Sequence, residues 1–108
     1  MTEIRTITPA ELRRRLDEGE DFILLDVREQ SEWDICHIEG ALFKPLSEIS
    51  RWVDTLDPAR EYVLHCHHGG RSRKACAVAM AHGIANVTSL DGGIDGWCTA
   101  VDPRLKRY

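Results

Sequence analysis

Short apolar runs separated by stretches of helical periodicity organise this chain, and their alternation predicts a parallel α/β sheet. Phe22-Ile23-Leu24-Leu25 is a continuous apolar run closed by Asp26, the pattern of a strand buried on both faces. Leu42-Phe43-Lys44 predicts a short strand that Pro45 ends, and residues 62–65 and Val87-Thr88-Ser89-Leu90 predict two more. Helices fill the gaps. Thr8 is an N-cap candidate with Pro9 at the first helical position and Glu11 at the third, so a helix should run to about Asp17 and stop at Gly19. Residues 28–35, charged with one tryptophan, predict a short helix or turn. Ser47 is placed to cap a helix reaching about Thr55, with Ile49, Trp52, Val53 and Leu56 at helical spacing before Asp57-Pro58 breaks it. Residues 72–82, mostly Ala, Val and Met, predict a helix apolar enough to be largely buried, with Gly83 at its C′ position. Gly92-Gly93 opens a last short helix through Trp97. In such sheets ligands bind at the carboxyl ends of the strands.

Length and charge narrow the functional classes. The 108 residues are enough for one domain with its own core, so residues 1–108 are expected to form a single domain. Fourteen Lys and Arg against eighteen Asp and Glu give a net charge of -4 with the positive residues dispersed, which argues against nucleic acid as a partner. No apolar stretch approaches membrane-spanning length, and Met1-Thr2-Glu3-Ile4-Arg5 has no signal-peptide core, so the expected setting is cytoplasmic and no membrane partner is expected. The cysteines at 36, 66, 76 and 98 form no Cys-x-x-Cys pair, and a disulfide scaffold is not expected.

Chemistry concentrates in Cys66-His67-His68-Gly69-Gly70-Arg71-Ser72. A thiol directly follows an apolar strand, two glycines loosen the turn, and an arginine closes it where a helix begins. Gly69 and Gly70 are free to take positive φ and turn successive N–H groups inward, while the helix near Ser72 offers its unpaired N-terminal donors to the same point. A thiolate there is stabilised by both, which makes Cys66 the candidate nucleophile and requires it to be accessible. Arg71 is the candidate anion clamp. His67 and His68 are either donors lining the pocket or solvated loop histidines.

With the loop in place, the chain resembles the rhodanese-like sulfurtransferases from about Ile4 to Trp97. Leu25-Asp26-Val27-Arg28-Glu29, followed by His37-Ile38-Glu39-Gly40-Ala41, is similar to that family's N-terminal signature. The loop, with four residues between Cys66 and Arg71, is the second feature. Asp91-Gly92-Gly93-Ile94-Asp95-Gly96-Trp97 is the third, similar to the Gly-Gly-x-x-x-Trp that closes such domains. The resemblance implies a three-layer α/β/α fold around a mainly parallel sheet of about five strands. It implies that Cys66 accepts a sulfane sulfur from a donor such as thiosulfate, holds it as a persulfide, and passes it to a thiol or cyanide acceptor. Residues 67–72, including His67, His68, Gly69, Gly70 and Ser72, would bind substrate, and Asp26 and Arg28 would support the loop. No cofactor and no metal are called for; a sulfur-relay protein is a further expected partner. Cys36 departs from the family's usual glycine before His37 and raises the question of a second redox-active thiol.

Three other readings use the same residues. A phosphatase or arsenate reductase employs a cysteine, glycines and an arginine, but with five residues between Cys and Arg, a wider ring suited to a tetrahedral oxyanion. A metal site built from Cys36, His37 and residues 65–68 fails because consecutive residues at a strand end cannot all face one ion. A non-catalytic binding module is the third; such modules usually lose the nucleophile, which is retained here.

Overall fold

In the computed structural model, which describes residues 3–108, the apolar runs become strands β2 (Ile23–Asp26), β3 (Leu42–Phe43), β4 (Tyr62–His65) and β5 (Val87–Leu90). A further strand, β1 (Arg5–Ile7), joins them, and all pair in parallel in the order β1-β5-β4-β2-β3. Met1 and Thr2, part of the expected domain, lie outside the described residues. The hydrophobic pattern does not announce β1, because only Ile7 of its three residues is buried and the strand lies at a sheet edge. Its register is instead held by pairing with β5 and by Arg5, which donates to Asn86 at 2.6 Å.

Helices α1 (Pro9–Asp17) and α5 (Gly93–Ala100) cover one face of the sheet; α3 (Ile49–Trp52) and α4 (Gly70–Ala81) cover the other. A fifth helix, α2 (Gln30–Ile35), follows β2 at the carboxyl end of the sheet. Period-two alternation divides the core: Leu24, Val63 and Leu90 pack with Leu12, Ile94 and Trp97, while Leu25, Leu64 and Val87 pack with Trp52, Val53, Ala75 and Ala79. Each fully buried leucine contributes roughly 1.5–3 kcal/mol relative to exposure.

Local signals fix most boundaries. Thr8 caps α1 by accepting from the Glu11 N–H at 3.2 Å, and Gly19, at φ 66°, follows its last turn. Two expectations change. Ser47 caps nothing; its hydroxyl donates to Glu29 at 2.7 Å, and the segment breaks into a 3₁₀ turn (Leu46–Glu48), α3, and a second 3₁₀ turn (Val53–Thr55). Helix α4 begins two residues earlier than its sequence suggests and buries one face only, Ser72, Ala75, Cys76 and Ala79. Ala77 and Ala81 stay exposed, since a methyl group loses little by meeting water.

The topology places the site. β2 and β4 are neighbours with Asp26 opposite His65, so the residues leaving both strands, Val27-Arg28 and Cys66-His67, emerge side by side at the carboxyl edge. The first turns of α4 and α5 start at the same edge.

Candidate active site

Cys66 stands one residue beyond β4, at the base of a loop that turns directly into α4. Two backbone donors reach its sulfur: the Gly69 N–H at 3.0 Å and the Ser72 N–H at 3.4 Å. Gly69 achieves this at φ 113°, a conformation side-chain-bearing residues rarely adopt, as the N-cap of α4. Gly70 does not share that geometry. It is the first residue of the helix, without positive φ, and a Cβ there would meet no atom within 4 Å. The cradle therefore rests on Gly69 and the first helical turn rather than on two inverted glycines. Because α4 runs for 12 residues, its positive end adds to these two donors.

The loop carbonyls are turned away by α5. The Ile94 N–H donates to the Cys66 carbonyl at 2.8 Å and the Asp95 N–H to that of His67 at 3.0 Å. So close an approach requires Gly93: a Cβ would stand 2.4 Å from the His67 oxygen and 2.6 Å from the Cys66 oxygen. The Gly92-Gly93 motif thus acts on the thiol's surroundings through the carbonyls of Cys66 and His67. Ser72, fully buried, locks the far side by donating to the Gly69 carbonyl at 3.1 Å and meeting the Ser89 hydroxyl at 2.6 Å. Its own oxygen lies 3.6 Å from the sulfur.

Asp26 and Arg28 lie beneath the rim, both fully buried. Arg28 Nη2 donates to Asp26 at 2.7 Å and to the Cys36 carbonyl at 2.6 Å, and Arg28 Nε adds a bond to Asp26 at 2.9 Å. Burial works to lower the Arg28 pKa, but the hydrogen bonds it donates to Asp26 and Tyr108 outweigh that and raise it. The pair staples the end of α2 to the sheet and touches neither the sulfur nor its donors. His65, also fully buried, has its pKa lowered chiefly by desolvation. Its Nε2 is the single buried side-chain polar atom without a hydrogen-bond partner among the described residues, 3.7 Å from Asp26.

Arg71 stands at the mouth with its guanidinium already engaged. Nη1 and Nη2 bind the two oxygens of Glu32 at 2.6 and 2.8 Å. Hydrogen bonding to Arg71, helped by the Tyr108 hydroxyl and the Glu29 N–H, overcomes burial and holds the Glu32 carboxyl down at about 2. Tyr108 completes the rim. Its hydroxyl donates to Glu32 at 2.8 Å and accepts from Arg28 Nη1 at 2.8 Å, and its ring stacks on His67 with centroids 4.0 Å apart. His67 in turn stacks on the exposed His68 at 3.9 Å. Neither Glu32 nor Tyr108 stands out in the sequence: their partners lie 39 and 76 or more positions away, and only the capping-box spacing of Glu29 and Glu32 hints at a fixed carboxylate.

Cys66, expected to be accessible, is buried in this conformation: the residue is 1% exposed. The other three cysteines are also free and buried. Burial pushes the Cys76 thiol up to about 12 and raises that of Cys98. Cys36 packs in the α1–α5 layer, whereas Cys66 belongs to the α3–α4 layer. Cys66 is the one of the four with backbone N–H groups aimed at its sulfur.

His67, His68 and Asp95 bring possible metal-ligand atoms within 4.8 Å of one another. Arg107 pairs with Asp95 at 3.0 Å, and the two imidazoles stack with centroids 3.9 Å apart. An ion there would compete with Arg107 for the Asp95 carboxylate. A cleft of about 520 Å³ lined by Arg13, His37, Trp97 and Arg104 includes no residue of the loop. No helix of the described residues is long and apolar enough to cross a membrane.

The family model of the rhodanese-like domain matches residues 8–100. The chain belongs to the rhodanese-like domain family. Among curated relatives, this rhodanese-like domain is 41% identical over 105 residues to a probable adenylyltransferase/sulfurtransferase, MoeZ, of Mycobacterium tuberculosis, matching 95% of this chain but 27% of that one. It is 34% identical to a sulfurtransferase of Allochromatium vinosum, covering 87% of this chain and 88% of the relative. Among solved structures, a rhodanese-like domain protein from Staphylococcus aureus superposes with a TM-score of 0.84 at 27% identity, over 97% of this chain and 99% of that one. The fold of one five-stranded parallel sheet flanked by helices, implied by the three sequence features, is thus shared with a solved rhodanese-like domain.

Proposed function

We infer that this rhodanese-like domain is a sulfurtransferase in which Cys66 carries the sulfur. The observation that carries this reading is the pair of N–H groups, from Gly69 and Ser72, directed at the Cys66 sulfur at 3.0 and 3.4 Å with the nearest carbonyls tied back to α5. A persulfide ends in an anionic, polarisable sulfur, so such donors favour the loaded state over a neutral thiol. With thiosulfate as donor, the Cys66 thiolate attacks the outer sulfur; a new S–S bond forms, the S–S bond to the sulfonate breaks, and its electron pair departs with sulfite. A thiolate or cyanide then attacks the terminal sulfur and returns Cys66 as thiolate. No net redox partner is needed in either half.

The other roles follow from position. Arg71, beside the mouth and raised in pKa by Glu32 against the effect of burial, remains cationic throughout and steers the anionic donor. His67 and His68 line the approach. Gly69 and Ser72 supply the cradle, Gly70 starts the helix whose dipole backs it, and Asp26 with Arg28 supports the loop. Loss of one preorganised donor of this kind typically slows reaction on the order of 100-fold. A sulfur-relay protein is proposed as a further acceptor. A reducing, cytoplasmic setting suits four free thiols, one of which must stay reduced to react. Residues 1–108 are proposed to form one domain; the radius of gyration of 12.8 Å is close to the value of about 13 Å for a compact chain of this length.

Intact-mass spectrometry after incubation with thiosulfate tests the reading. The expected result is a gain of one sulfur atom that vanishes in Cys66→Ser. Absence of any gain from several sulfane donors, together with hydrolysis of an aryl phosphate, would overturn it in favour of a phosphatase.

A further inference from the structure

The burial of Cys66 poses a question of access that the transfer reaction must answer, since both donor and acceptor have to reach the sulfur in line with the bond being made. A closed circuit of contacts surrounds the loop. From Cys66 the chain passes to His67, whose ring stacks on Tyr108. The Tyr108 hydroxyl binds Glu32, which grips Arg71 with both oxygens, and Arg71 precedes Ser72, whose N–H returns to the Cys66 sulfur.

The links of this circuit are unequal. Arg71 and Glu32 share a bidentate charged pair, and residues 66–72 are held by α5 and by Ser89. Tyr108 instead sits on a segment that leaves α5 through a turn at residues 101–105 and touches the rest of the molecule at few points. Leu105 packs on the α1–α5 core and Arg107 pairs with Asp95, while Pro103, Arg104, Lys106, Arg107 and Tyr108 are exposed. Few apolar contacts and exposed bonds give the segment a low free energy of opening. Opening would also uncover the narrow space beneath it, lined by Cys36, Ile94 and Cys98.

We propose that Tyr108 is a specificity-determining residue of the sulfur-transfer site: it closes the rim between His67 and Glu32, and its displacement sets how large a reagent reaches Cys66. This rests on the reading of Cys66 as the sulfur carrier. Small, compact species such as cyanide would then pass with Tyr108 in place. A peptide-sized thiol requires residues 102–108 to lift. Arg28 and Glu32, which hold the tyrosine hydroxyl from both sides, favour the closed state, and the hydroxyl remains protonated because burial, opposed by Arg28, raises it to about 12.

The test compares wild type with Tyr108→Ala and Tyr108→Phe, using alkylation of Cys66 by iodoacetamide and by a bulky, dye-linked maleimide. Peptide mapping assigns the modified cysteine, and Cys66→Ser supplies the background. If the closed state holds about nine molecules in ten, Tyr108→Ala accelerates the bulky reagent about tenfold and iodoacetamide much less. Tyr108→Phe, which keeps the stack and loses both hydrogen bonds, falls between. Equal ratios of bulky to small reagent in all three proteins would overturn the proposal, as would a slower bulky reaction in Tyr108→Ala at unchanged melting temperature. Alkylation does not depend on sulfur transfer. Failure to form a persulfide would therefore count against the function while leaving the gate standing, and a flat size profile would do the reverse.

Discussion

The floor and the rim of this site are built by opposite means. The floor is backbone: N–H groups of Gly69 and Ser72 toward the sulfur, and N–H groups of Ile94 and Asp95 holding the carbonyls away. The rim is side chain: Arg71, Glu32, His67 and Tyr108, all partly open to water. Peptide groups anchored in a helix start cannot relax toward the changing charge, so they suit the invariant part of the reaction, the stabilisation of one sulfur anion. Side chains at an edge exchange partners at low cost, and suit the variable part, the choice of donor and acceptor. The two should therefore respond differently to substitution.

The floor gives the largest expected effect. Gly93→Ala places a methyl group 2.4 Å from a main-chain oxygen at a φ of 59°, and neither backbone can yield without moving the loop. It should destabilise the domain by about 2–4 kcal/mol in urea unfolding and slow sulfur transfer by on the order of 100-fold or more. Near-normal transfer by this variant would break the assignment of carbonyl orientation to α5.

Next comes the buried pair beneath the rim. Asp26→Ala leaves the fully buried Arg28 without its carboxylate, a change that costs about 3–5 kcal/mol when one partner of such a pair is removed. Chemical denaturation measures it directly. A variant replacing both residues with apolar side chains should recover part of that loss, because no uncompensated charge remains.

Rim substitutions should be milder and should alter binding more than stability. Glu32→Gln frees the Arg71 guanidinium for the donor and should lower KM for thiosulfate about threefold with little change in kcat, in line with the ~0–1 kcal/mol of a partly exposed pair. The same pair carries a pH signature. Arg71 holds the Glu32 carboxyl down at about 2 against an ordinary 4.5, so its stabilisation is fully present above pH 4.5 and fades as pH falls toward 2. Wild type should lose more stability than Glu32→Gln across that interval, measured by thermal unfolding in parallel buffers. Parallel curves would show that the pair contributes nothing to the fold.

The smallest effect sharpens the comparison from inside the loop itself. Gly70→Ala meets open space at a helical φ, so it should change stability by less than about 1 kcal/mol, in the stabilising direction, and leave transfer intact. Gly69→Ala, one position earlier at φ 113°, should not be tolerated in this way.

The same division explains what the sequence disclosed. Apart from the α5 groups that hold the carbonyls away, the floor depends on local order, a strand end, one glycine at positive φ and a helix start, and these lie in contiguous residues with recognisable spacing. So do the four apolar strands and the cap at Thr8. The rim joins Glu32 to Arg71 and Tyr108 across 39 and 76 positions, and no periodicity reports a contact at that separation. The edge strand β1 stayed hidden for a related reason: with one buried residue it carries almost no pattern, and its partner lies more than 80 residues away. Glycines were recognised as informative, but Gly70 and Gly93 changed places in importance. A permissive residue announces freedom, and only packing shows where freedom is required. The exposed alanines of α4 taught the converse, that an apolar composition does not fix which face is buried.

On the proposed function, the two N–H groups of the floor hold the sulfur carried by Cys66. Amide proton shifts of uniformly ¹⁵N-labelled protein, recorded before and after loading with thiosulfate, test it most directly. Marked downfield movement of the Gly69 and Ser72 amides is expected on loading, reversed by cyanide and absent in Cys66→Ser. Loading confirmed by mass with both amides unmoved would contradict it.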